Sequence, residues 1–187
     1  MLARRLVTMH QPIVLYSDGA SRGNPGRGPA AIGYMICDTK GAVLAEHAKY
    51  IGDATNNEAE YRALIAGLDA ACGISRGELE CCTDSELVVR HMNGVYRLKD
   101  PRMKAFFLQV SALKSPFEKV TFKHLPRTNP MIMKVDKKVE DVLTEQGFPK
   151  RSVPRKFSFP QPSPTPSQQP SQSSAPRFPR ESALECA

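Results

Sequence analysis

No apolar run in this 187-residue chain approaches the roughly 18 residues needed to cross a bilayer as a helix, so a transmembrane span is excluded. A secretory signal is also missing. The first eleven residues carry Arg4 and Arg5 but no apolar stretch of about 7–15 residues and no small-residue cleavage site. Residues 1–10 read as a short leader. The five cysteines, Cys37, Cys72, Cys81, Cys82 and Cys186, contain no CxxC pair and are odd in number. That usage offers no zinc site and suits a reducing, cytoplasmic setting in which thiols act as small buried apolar groups. Internal repeats are absent, and so is a strong excess of one charge. The net charge of +7 divides into +3 from residues 151–187, with five basic and two acidic side chains, and +4 from residues 1–150, with 21 and 17. Basicity of this size permits a polyanionic partner without demanding one.

The chain is 41% hydrophobic and 24% charged, which is ordinary globular composition. The composition shifts sharply near residues 147–149. Eight of the 16 prolines fall in the last 37 residues, among Ser and Gln. Residues 149–187 are therefore expected to be a disordered tail with polyproline II character, either solubilising or able to recruit a proline-binding domain or nucleic acid. One domain is expected over residues 11–148. Apolar runs at 13–17, 30–37 and 43–51 predict three strands, with DTKG at 38–41 as a hairpin turn. From Asn56, apolar residues recur at Ala59, Ala63, Ala66 and Ala70 and at Leu64 and Leu68, which predicts a helix stopped by Gly73. A fourth strand at 78–82, a short helix at 85–92, a helix from Pro101 to about Lys114, a fifth strand at 119–124 and a last helix at 135–146 complete the order. The result is an α/β domain, β-β-β-α-β-α-α-β-α, with a five-stranded mixed sheet flanked by helices.

Four acidic residues fall at the edges of these elements. Asp18 is expected to end the first strand, Glu60 to lie in the first turn of the long helix, Asp84 to end the fourth strand and Asp136 to open the last helix. If strands one and four are neighbours, Asp18 and Asp84 project from one end of the sheet. Carboxylates at element ends give the hard oxygen ligands that Mg²⁺ requires. Each alone could equally be a cap or a solvated charge, and Asp84 before Ser85 could be an N-cap.

Three motifs resolve that ambiguity by resemblance. YSDGASRGNPGRGPAAIGYMI (residues 16–36), TNNEAEYRALIAGLDAA (55–71) and TDSELVVRHMNG (83–94) resemble, in order and spacing, the signature segments of type 1 ribonucleases H. KHLPR (123–127) is similar to the end of the fifth strand in bacterial and archaeal members. The resemblance implies a ribonuclease H-like fold and Mg²⁺-dependent cleavage of the RNA strand in RNA–DNA hybrids, leaving 5′-phosphate and 3′-hydroxyl ends. It implies two metal ions, with Mn²⁺ as a possible substitute, held by Asp18, Glu60, Asp84 and Asp136, with Glu60 rather than Glu58 on the metal position. It also implies that Gly23, Asn24, Pro25 and Gly26 present backbone to RNA 2′-hydroxyls, that Thr55 grips a DNA phosphate, and that Asn56 and Asn57 read both strands. The hybrid is the implied partner; a monomer is expected, and no membrane contact.

The chain also departs from the family pattern. Glu86 stands where a Gln commonly follows TDS, and an ionised Glu cannot donate a hydrogen bond. The segment TNPMIMKVD (128–136) is about two residues longer than usual, so Glu140 is an alternative to Asp136. No histidine lies between Arg127 and Asp136. Arg127 is the candidate to serve the phosphate there or a plain surface residue, and His124 reads as a strand residue. The basic helical protrusion of some bacterial members is missing, which leaves Arg97, Lys99 and Arg102 as candidate phosphate contacts. Two rival functions share much of this sequence: a non-catalytic hybrid-binding module, and another nuclease on the same fold.

Overall fold

Turn chemistry shapes the first third of the chain into a meander. β1 (Ile13–Ser21), β2 (Gly28–Asp38) and β3 (Val43–Ala54) pair antiparallel in sequence. Between β2 and β3, the Asp38 carboxylate accepts from the amides of Lys40 (2.9 Å) and Ala42 (2.8 Å), while Gly41 takes φ +86°. A side chain at that φ would be strained, so glycine is the natural occupant. α1 (Asn56–Cys72), β4 (Glu78–Thr83), α2 (Glu86–Met92), α3 (Pro101–Lys114), β5 (Lys119–His124) and α4 (Pro130–Glu145) follow. The computed structural model describes residues 10–23, 25–97 and 99–150, all within the unit Met1–Arg151. Residues 1–9 of the expected leader, Asn24, and residues 151–187 of the expected tail lie outside the described residues.

The sheet order is β3-β2-β1-β4-β5, with β4 parallel to β1 and β5 parallel to β4. This is the five-stranded mixed sheet that the sequence predicts. α1 lies on one face, where Leu15, Ile36, Tyr61, Leu64, Leu68, Leu79 and Val110 form the main core. On the other face, α4 buries Ile132, Val135, Val139 and Leu143, a stripe at helical spacing. Each such side chain contributes roughly 1.5–3 kcal/mol relative to exposure.

Two close approaches set the helices against β1 and β2. A Cβ on Gly19 would stand 2.3 Å from the backbone of Ala59, so only glycine lets α1 lie this near β1. A Cβ on Gly33 would meet Val139 at 2.8 Å and Val135 at 3.2 Å, so α4 lies flush on β2 there. Gly33 pairs with Asp18 across the β1–β2 ladder, which brings α4 to the level of Asp18. Side chains alternate along a strand, so Asp18 points to the α4 face when the neighbouring Gly19 faces α1.

Three placements differ from expectation. β1 continues through Asp18 to Ser21, because the β2 ladder extends to the pair Ser21↔Ala30. Glu60 is the fifth residue of α1, just past the first turn, because Thr55 caps the helix and Asn56 begins it. α4 starts at Pro130 instead of Val135, so Asp136 lies in its second turn and does not open it. The Asn129 side chain accepts from the amides of Met131 (2.9 Å) and Ile132 (3.4 Å), and Pro130 occupies the first helical position, where its missing N–H is harmless. The extra length before Asp136 is therefore helix, not loop. Asp84 is likewise not a cap: Ser85 caps α2 through its hydroxyl.

Candidate active site

The parallel pairing of β1 with β4 runs to Tyr16↔Cys82. Two residues further along each strand stand Asp18 and Asp84, at the same end of the sheet. Asp18 is buried, and its Oδ2 has no hydrogen-bond partner among the described residues. Burial, then the like charges of Asp84, Asp136 and Glu60, push its pKa up to about 7 against the opposing backbone amide of Gly19. Glu60 is also raised to about 7, chiefly by burial; the Ser85 hydroxyl bond and the Arg127 charge work against this rise, and Asp84 adds to it. Its two oxygens are fixed separately, Oε1 by the Asn56 amide (2.8 Å) and Oε2 by the Ser85 hydroxyl.

Asp84 is largely buried and accepts a 2.7 Å bond from Nε of Arg127, whose side chain is 84% exposed. Nε2 of His124, at the end of β5, lies 3.2 Å from the Asp84 carbonyl. Asp136 is half-exposed on α4, with the Lys150 ammonium 3.7 Å away. Glu140, one turn on, is held by Arg22 at 2.6 and 3.2 Å and by Lys150 at 3.1 Å. Its pKa is lowered because these hydrogen bonds and charges outweigh its burial.

The structure thus brings Asp18, Glu60 and Asp84 to one place, with Asp136 near enough to raise the Asp18 pKa. Glu58 is turned away into structural bonds: it completes a capping box with Thr55 and pairs with Arg27 and Arg102. Arg102, a candidate phosphate contact from sequence, is occupied by Glu58 and Asp100. Glu86 forms an ion pair with Arg90 at 2.5 Å on the surface of α2. Asn56 bridges to β1, accepting from the Ser21 amide (3.3 Å), whereas Asn57 is exposed. Gly23, Pro25 and Gly26 form the loop between β1 and β2, closed by the Arg22 amide donating to the Pro29 carbonyl (2.8 Å). A Cβ on Gly23 would stand 2.1 Å from the Arg27 backbone, and Gly26 has φ +106°.

The Ser85 hydroxyl on Glu60, and the guanidinium groups of Arg22 and Arg27, are partners that the sequence reading did not assign. The sequence reading passed over a capping-box signal, Thr55 followed three residues later by Glu58, that points to a structural role for Glu58, and nothing local marks Arg22.

Among the described residues, no group of three or more His, Cys, Asp or Glu side chains is already arranged to hold a metal ion. The donor set nevertheless fits a hard divalent cation. It consists of carboxylates crowded by like charge, one of them buried with an unpartnered oxygen.

An α/β domain with a carboxylate cluster at the end of adjoining parallel strands defines the class. A family described as reverse transcriptase-like matches residues 17–132. A bifunctional protein of Mycobacterium tuberculosis is 43% identical over 116 residues, covering 62% of this chain and 31% of that protein. Ribonuclease HI of Halobacterium salinarum is 41% identical over 112 residues, 60% of this chain and 55% of that protein. The crystal structure of RNase H1 from that archaeon superposes with a TM-score of 0.67 at 35% identity, covering 72% of this chain and 98% of the other. The structure of LC11-RNase H1 in complex with RNA/DNA hybrid has a TM-score of 0.65 at 37% identity and the same coverage. The chain belongs to the type 1 ribonuclease H family within the reverse transcriptase-like group. It spans about a third to a little over half of the length of these curated relatives.

Proposed function

We propose that this chain cuts the RNA strand of RNA–DNA hybrids endonucleolytically, leaving 5′-phosphate and 3′-hydroxyl ends. The observation that carries this reading is the buried, unpartnered Asp18 carboxylate oxygen, in a group whose pKa is raised by burial and by the charges of Asp84, Asp136 and Glu60. These four residues would hold Mg²⁺, two ions in all, with Mn²⁺ as a possible substitute. Bound there, the cations would supply the positive charge that eases loss of a proton from an attacking water and offsets the charge on the departing 3′-oxygen. Ser85 and Asn56 keep both Glu60 oxygens aimed, which limits the reorganisation needed on loading. Arg127, always charged and mostly in solvent, is free to leave Asp84 for a substrate phosphate.

Choice of RNA over DNA rests on the β1–β2 loop. Gly23 lets the loop close on the Arg27 backbone, and the exposed Gly26, at φ +106°, leaves backbone open to close approach by a ribose, so that the 2′-hydroxyl can pair with backbone groups. Thr55 sits at the N-terminus of α1, where free amides and the helix dipole favour a phosphate. The structure of a relative in complex with RNA/DNA hybrid supports the same substrate.

Asp18→Asn and Asp84→Asn test the reading directly. Each removes ligand charge without removing volume, so hybrid cleavage should be lost while circular dichroism stays native. Retention of more than about a tenth of the Mg²⁺-dependent rate contradicts the assignment, because one lost ligand should cost several kcal/mol of charge stabilisation.

A further inference from the structure

Two arginines flank the β1–β2 loop, and each reaches a carboxylate on a different helix. Arg22, immediately after β1, meets Glu140 of α4 with two guanidinium nitrogens, at 3.2 and 2.6 Å, and donates from Nε to the Phe148 carbonyl at 2.9 Å. Both members of this pair are mostly buried, with side chains 18% and 15% exposed. Arg27, just before β2, places Nη1 between both Glu58 oxygens of α1, at 2.8 and 2.7 Å, and donates from Nη2 to the Asp53 carbonyl at 2.7 Å. Glu58 is itself fixed by the Thr55 amide (2.8 Å). The loop is thus slung between the helix that carries Glu60 and the helix that carries Asp136.

We infer that Arg22 and Arg27 are positioning residues that fix the loop between them relative to the carboxylate site, and so set how far the ribose contacts stand from the bond to be cut. The inference rests on the hybrid-cleaving reading above. The loop's own hydrogen bonds sit at its ends, where the Arg22 amide donates to the Pro29 carbonyl and the Gly23 amide to the Ser21 hydroxyl, while Pro25, Gly26 and Arg27 are exposed and neither Gly23 nor Gly26 has a side chain to pack. The forked Arg22–Glu140 bond fixes direction as well as distance, which a lysine or an apolar contact does not, and Arg27 gains direction from its second bond, Nη2 to the Asp53 carbonyl. A largely buried ion pair is a poor source of net stability compared with apolar residues of the same volume. Its better-attested use is holding register, and the Arg22–Glu140 pair sits where register between loop and helix matters. Glu140 is one turn from Asp136 on nearly the same face, about 6 Å along the axis, so a shift of the Arg22 anchor is felt at Asp136.

The test uses the full chain and the variants Arg22→Ala, Arg22→Lys, Arg27→Ala, Glu140→Ala and the double variant Arg22→Ala/Glu140→Ala. Three quantities are read well below the melting temperature: amide hydrogen exchange of residues 22–28, affinity for a hybrid duplex without divalent cations, and KM against kcat with Mg²⁺. Loss of one fork should speed exchange in the loop and weaken cation-free hybrid affinity by about five- to ten-fold, with KM raised to match and kcat changed less than about three-fold. Arg22→Lys should recover part of the affinity. The double variant should be no worse than Arg22→Ala, since both changes undo one clamp. Unchanged exchange in both arginine variants overturns the inference. Faster exchange with unaltered hybrid affinity and KM also overturns it, and leaves the pairs with a purely structural role while the wild-type protein still cleaves hybrids. A wild-type protein that neither binds nor cuts hybrids removes the proposed function itself, and the positioning role with it.

Discussion

Asp18 and Glu60 sit in surroundings that oppose their own charge, and that opposition has a measurable consequence. Both have folded-state pKa values raised to about 7, well above those of an unfolded chain. The native state then binds more protons than the unfolded state between roughly pH 4 and 7. Their contribution to stability is fully present below the unfolded values and is lost as pH rises through 7. Glu58 and Glu140, with lowered pKa values, act the other way, but their contribution is lost only on acidification and is constant above about pH 5. In EDTA, Asp18→Asn should therefore melt at a higher temperature than the wild type at pH 8, with the gap closing towards pH 5. Mg²⁺ should raise the wild-type melting temperature more at pH 8 than at pH 5.5, because protons and cations compete for the same oxygens, and should do little for Asp18→Asn. A gap independent of pH would show that Asp18 is not strained in this way.

The question of the fourth carboxylate belongs to the helix that carries it. With α4 beginning at Pro130, Asp136 stands near enough to Asp18 for its charge to raise the Asp18 pKa, while Glu140 is engaged by Arg22 and Lys150. Asp141 is five residues from Asp136, about 140° around the helix, and exposed. Asp136→Asn should slow turnover substantially, Glu140→Gln modestly, and Asp141→Asn hardly at all; rates in saturating Mg²⁺ decide the order. A Glu140→Gln rate lower than that of Asp136→Asn would mean that the helix presents the other carboxylate.

Most of the element order could be read from the sequence because it is written in local signals. The alanine and leucine spacing of α1, the turn residues at 38–41 and Pro101 at the head of α3 all act within a few residues of themselves. The start of α4 escaped because Asn129 and Pro130 were counted as loop, although an Asn cap followed by Pro is also a helix start. The far end of β1 escaped because it depends on pairing with β2, which no residue within β1 announces. At the site, the three leading carboxylates were legible through their motifs. The Arg22–Glu140 and Arg127–Asp84 contacts were not, since they join residues 118 and 43 positions apart.

Over the whole molecule, charge is spent internally. Residues 1–150 carry only +4, and Arg22, Arg27, Arg90 and Arg102 are committed to carboxylates. With 21 basic against 17 acidic side chains in that span, the net pull on a polyanion is modest. Arg97, Lys99 and Arg127 are the candidate phosphate contacts, and three such contacts imply a log–log salt slope of about −3 for hybrid binding. A slope steeper than about −6 would require a basic surface that these residues do not supply.

The central claim is substrate choice coupled to cleavage. The direct test incubates the protein under Mg²⁺ with a hybrid, a DNA duplex and an RNA duplex of one sequence, each labelled on either strand, and resolves the products with their end groups. Internal cuts are expected in the RNA strand of the hybrid alone, with 5′-phosphate and 3′-hydroxyl ends. Binding to the hybrid without cutting, or cutting of the DNA duplex at a comparable rate, would contradict it.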